Sequence, residues 1–185
     1  MTVSFLPNIQ LTKLKSFCAT RWSEQHGAIS STIDNLPDIV EVLKLMSNSN
    51  DNHLQRDSTE LLRKIRSPDI IFPMFCARKA LSQLKPLVNI LQNSELDIKA
   101  AFKQMELVKL SLVMTMNSEK QFSTLYSQSK ELSEKIEAYS NRDSLINNSS
   151  YVLELKSIFK DFYRNIVDDL EQRLNRNERA MKNLS

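Results

Sequence analysis

After residue 20, apolar positions recur three and four residues apart along almost the whole chain, the spacing that puts side chains on one face of an α-helix. The first such stretch predicts a helix from about Thr20 to Asn35, with Trp22, Ile29, Ile33 and Leu36 at helical spacing. Thr20 is placed to cap it by accepting N–H groups of the first turn, and Ser23 and Glu24 suit the positive end of the helix dipole. Pro37 disfavours helical geometry at Leu36 and can open the next helix as its first residue. A second helix is therefore predicted from Asp38 to Met46, with Ile39, Val42, Leu43 and Met46 in one stripe.

The polar run Ser47 to His53 breaks the pattern and reads as a loop. Asp57 or Ser58 can then cap a short helix ending near Ile65, and Ser67-Pro68 restarts the chain as N-cap and first helical residue. From Pro68 to Gln92 the apolar positions are too dense for a surface helix, which predicts a central one. Pro73 and Pro86 each remove an N–H there, so kinks or breaks are expected. Ser94 with Asp97 resembles a capping box, opening a helix with Leu96, Ala100, Phe102, Leu107 and Leu110 on its apolar face and continuing through Leu112-Val113-Met114. Another helix is predicted from Glu119 to Tyr139, carrying Phe122, Leu125, Tyr126, Leu132 and Ile136, before a polar loop over 141–150. The last and longest helix runs from Tyr151 to about Asn183, with Leu155, Phe159, Phe162, Ile166, Leu170 and Leu174 on one face.

Composition supports the same class. The chain has one glycine in 185 residues, whereas ordinary usage is about 7%. Sheets and phosphate-cradling loops need glycine at turns and close approaches, so both are disfavoured. The fold class is all-α, an irregular multi-helix bundle. Residues 1–19 read as an extended entry segment, and 20–185 as a single helical domain that can divide into sub-bundles 20–92 and 94–185. The net charge of +3 with both signs mixed gives little electrostatic pull toward nucleic acid on its own. Two cysteines make no disulfide framework, residues 1–15 show no signal-peptide pattern, and no run of about 18 apolar residues exists to span a membrane. These features point to an intracellular protein, in which the sequon at Asn147 would stay silent.

Three short segments, in order, carry a family resemblance. Leu14-Lys15, then Cys18-Ala19-Thr20-Arg21-Trp22 and His26, is similar to the "TRW" segment of hAT-superfamily transposases, nearest in pattern to the THAP-associated and zinc-finger-MYM-type members. Ala80-Leu81-Ser82-Gln83-Leu84-Lys85-Pro86-Leu87 with Leu91-Gln92 resembles a second family segment, and Phe162-Tyr163-Arg164 through Asp169-Leu170 and Arg173-Leu174 resembles a third. The resemblance spans most of the chain and implies the helical insertion domain of such a transposase, in a nuclear, truncated or domesticated protein. In that family the tryptophan lies beside the catalytic centre and can stack on an unpaired base. By that resemblance Arg21 and Trp22 are the candidate DNA-binding pair, stacking a base and holding a phosphate; a core anchor is the other reading of Trp22.

Catalysis in that family needs three carboxylates holding two metal ions, two before the TRW segment and one after the insertion. The two aspartates have no counterpart here, and Glu154, Glu171 and Glu178 read as the solvent side of a helix. No catalytic residue is assigned, and the chain is expected not to be an enzyme and to take no small-molecule substrate. Cys18, Cys76, His26 and His53 do not pair at ligand spacing, so no metal and no cofactor are expected. Arg173, Arg176, Arg179 and Lys182 form a basic stripe near the C-terminus; a solvated face favoured by the helix dipole and a DNA-phosphate contact both fit it. The expected role is protein association, with a partner protein or with itself, and a weak DNA contact, away from membranes. A helical scaffold or adaptor unrelated to transposition is the competing reading.

Overall fold

The computed structural model describes residues 22–92, 98–137 and 149–182, with the side chains of 22–24, 68 and 174–182 left out. Those residues form seven helices: α1 (Trp22–Asp34), α2 (Leu36–Met46), α3 (Asn52–Ile65), α4 (Pro68–Leu91), α5 (Ile98–Met116), α6 (Glu119–Lys135) and α7 (Ser149–Lys182). No strand occurs among them. The all-α expectation holds.

Local chemistry sets several of the boundaries. Asn35 alone separates α1 from α2; its side-chain amide donates to the Ser31 carbonyl at 2.6 Å while its own carbonyl accepts from Ile39 at 2.9 Å. Pro37 does not delay α2, because the first helical N–H groups have no partner inside the helix anyway. The buried residues of α2 are Leu36, Val40 and Leu43, a face turned from the expected stripe. α3 begins well before Asp57: the carboxylate of Asp51 accepts from His53 N–H at 2.9 Å and Leu54 N–H at 3.2 Å. Ser67 caps α4 as predicted, accepting from Asp69 N–H. α4 then runs through Pro73 and Pro86 without a break, because α1, α5, α6 and α7 all pack on it. Each proline removes one helical bond, and the packing of four neighbours outweighs that loss.

The core is one cluster threaded on α4. Ile71, Phe72, Phe75, Cys76, Ala80, Leu84 and Leu87 meet Met105, Val108 and Leu112 of α5, Phe122 and Leu125 of α6, and Leu155, Phe159, Tyr163, Val167 and Leu170 of α7. Aromatic rings link the helices: Phe122 lies edge-on to Phe72 at 5.8 Å and to Phe159 at 5.7 Å, and Phe159 is 4.9 Å from Tyr163. The Tyr163 hydroxyl, in a side chain with no exposed surface, donates to the Cys76 carbonyl at 3.4 Å. One polar clamp crosses this core. The amide nitrogen of Gln83 on α4 donates to the hydroxyls of Ser111 and Thr115 on α5, both at 2.8 Å.

Two further expected faces are corrected. On α7 the innermost line is Tyr151, Leu155, Phe159, Tyr163, Val167 and Leu170, while Phe162 and Ile166 are only half-buried. On α5 the buried residues are Ala101, Met105, Val108, Leu112 and Thr115. Leu107 and Leu110, expected in the core, face solvent instead, and so does Met114. Leu96 lies outside the described residues.

Candidate functional site

At the start of α1, Trp22 occupies the first turn, one turn before His26. Its side chain, and Arg21, lie outside the described residues, as do Thr20 and Cys18. α1 packs along α4, with the Arg78 guanidinium 3.5 Å from the Asp34 carboxylate and 4.7 Å above the Phe75 ring. Burial, and then the fields of Lys85 and Arg78, hold the half-buried His26 below its ordinary range, so the imidazole is neutral at pH 7. The two α4 cations are two turns apart, which places positive charge along the α1–α4 seam beside the turn that follows Trp22.

Of the C-terminal stripe, only Arg173 has a described side chain. Arg173 donates to Asp169 at 2.8 Å within α7, an exposed pair worth about 0–1 kcal/mol. Arg176, Arg179 and Lys182 lie on the same helix, with side chains outside the description. Cys76 is inert: burial pushes its thiol up to about 12, far from the thiolate that a ligand or nucleophile needs. Among the described residues no group of three His, Cys, Asp or Glu side chains could hold a metal ion. No described helix is long and apolar enough to cross a membrane.

What sequence reasoning missed lies on α5. Leu107, Leu110 and Met114 are 51%, 55% and 73% exposed. Their three- and four-residue spacing lines them along one stripe, opposite Val108, Leu112 and Thr115. Lys99 and Lys103, both exposed, precede them on the same face at four-residue steps. A helix apolar on both sides is normally covered on both sides. The signal was present in Leu107-Val108-Lys109-Leu110-Ser111-Leu112-Val113-Met114, where two opposed faces are both apolar.

A second apolar surface opens between α4 and α7. Ala77, Ala80, Leu81 and Leu84 face Phe162 and Ile166 across an open groove of about 360 Å³, with Asn165 and Asp169 at its lip. Both second-segment and third-segment anchors of the sequence resemblance contribute walls to it. Asp69, at the far end of α4, accepts from the Tyr151 hydroxyl at 3.3 Å and so ties α7 alongside.

No family model matches the chain, and neither a curated protein nor a solved structure is significantly similar to it. What the fold defines is a class: an all-α multi-helix bundle.

Proposed function

We propose that this chain is a non-catalytic helical association module, equivalent to the insertion domain of a hAT-like transposase and acting in the nucleus as part of a transposase-derived protein. The observation that carries this reading is the α5 stripe. Three large apolar side chains at Leu107, Leu110 and Met114 stand in solvent on one helix face, although every one could have been polar without loss of core. Interaction surfaces are where contiguous exposed apolar groups are retained. The test replaces all three by lysine and follows binding of a hydrophobic dye to the folded protein. Dye fluorescence is expected to fall several-fold while helical circular dichroism and the melt stay unchanged. Unfolding of the variant would mean that the face is covered within the chain, and the reading would fail.

DNA contact is the second reading, supported by the cations Arg78 and Lys85 beside His26 and the turn that follows Trp22. Fluorescence anisotropy across a salt series measures it, with Arg21→Ala, Trp22→Ala and Lys85→Ala as variants. Affinity should fall as salt rises, and Lys85→Ala should reduce the salt slope by about one. Folded protein that binds no DNA at low salt would remove this reading and favour the helical adaptor unrelated to transposition, which would use the same α5 face.

A further inference from the structure

We propose that the partner of the α5 stripe is a second copy of this chain, which receives it in the groove between α4 and α7. The inference rests on the association reading above and adds the identity of the partner. Leu107, Leu110 and Met114 have the spacing of the anchors by which an amphipathic helix lies in an apolar groove. They span two helical turns, about 10 Å. The groove walls have the same extent, from Ala77 to Leu84 on α4 and from Phe162 to Asp169 on α7. Its lining includes two small residues, Ala77 and Ala80, which let an incoming helix approach closely. Charge agrees with this pairing. The stripe is led by Lys99 and Lys103, and the exposed Asp168 stands beside the groove lip, whose Asp169 is already paired with Arg173.

Stripe and groove are different surfaces, so the contact is head-to-tail. Each added copy brings one stripe and one groove, and the assembly extends until it closes or runs on. One helix face in one groove covers less than the roughly 800 Å² per partner of a stable interface, so assembly grows with concentration.

Sedimentation equilibrium of the full chain over a hundredfold concentration range provides the test. Wild type should exceed two chains in average mass at the top of the range. A stripe variant, Leu110→Glu with Met114→Glu, and a groove variant, Ala77→Arg, should each remain monomeric. Asn165→Arg, an exposed lip position, blocks the groove without touching the core and replaces Ala77→Arg if that variant does not fold. Mixing stripe and groove variants leaves one intact stripe and one intact groove, so the mixture should rise to two chains and stop there. A monomeric wild type overturns the self-contact, and it leaves the association reading standing if the dye result above holds. Assembly that survives the groove variants, or a mixture that stays monomeric, also overturns it.

Discussion

Phe159→Ala is expected to cost about 3–5 kcal/mol, the range for removing a fully buried phenylalanine from a packed core. Phe159 is 1% exposed and its ring stands between Phe122 of α6 and Tyr163 of its own helix. Its loss opens a cavity where α4, α6 and α7 meet, and those helices cannot collapse into it without separating Phe72 from Phe122. A domain of this size has a total stability of about 5–15 kcal/mol, so this one truncation removes a large share. At about 2–4 °C per kcal/mol, the melting temperature should fall on the order of 10 °C. Thermal and urea unfolding measure it; a loss below 1 kcal/mol would mean that α6 and α7 are not joined through this ring.

The second large effect is a contrast between neighbours on α5. Leu112→Ala should cost about 2–5 kcal/mol, because Leu112 has no exposed surface and lies inside the α4–α5–α7 layer. Leu110→Ala, two residues earlier and 55% exposed, should change stability by no more than about 0.5 kcal/mol. Denaturant midpoints of the two variants decide it. Equal costs would mean that the face assigned to solvent is packed.

That contrast also marks where sequence pattern stopped being informative. On α4 the density of apolar residues left one arrangement, a central helix, and the Ser67-Pro68 start could be read directly from cap chemistry. On α5 two opposed faces are both apolar, so periodicity alone could not choose between Leu107–Leu110 and Val108–Leu112. Gln83 breaks the tie in three dimensions, since its amide needs Ser111 and Thr115 turned toward α4. No local rule links residue 83 to residues 111 and 115. α3 failed for the opposite reason. Most of its residues face water, so the polar run at its start carries no apolar pattern, and the Asp51 cap alone marks where the helix begins. On α7 the choice between Phe162 and Tyr163 turned on neighbours: Tyr163 went inward because its hydroxyl finds the Cys76 carbonyl, which left Phe162 to wall the groove. The groove itself joins residues about 85 positions apart and has no sequence signature. Composition gave the helical class, and tertiary packing decided which apolar residues stayed outside.

The claim that α5 presents an apolar face to water is tested most directly by thiol labelling. In a Cys18→Ser background, Met114→Cys and Leu112→Cys are each compared with the native Cys76 in dilute folded protein. Cys76 is 1% exposed and its thiol is pushed up to about 12, so it supplies a slow internal reference. Cysteine at 114 should react at nearly the rate of an unstructured peptide thiol, while cysteine at 112 and Cys76 should react only as the protein unfolds. Protection of position 114 to the level of Cys76 would contradict the account, because the stripe would then be core.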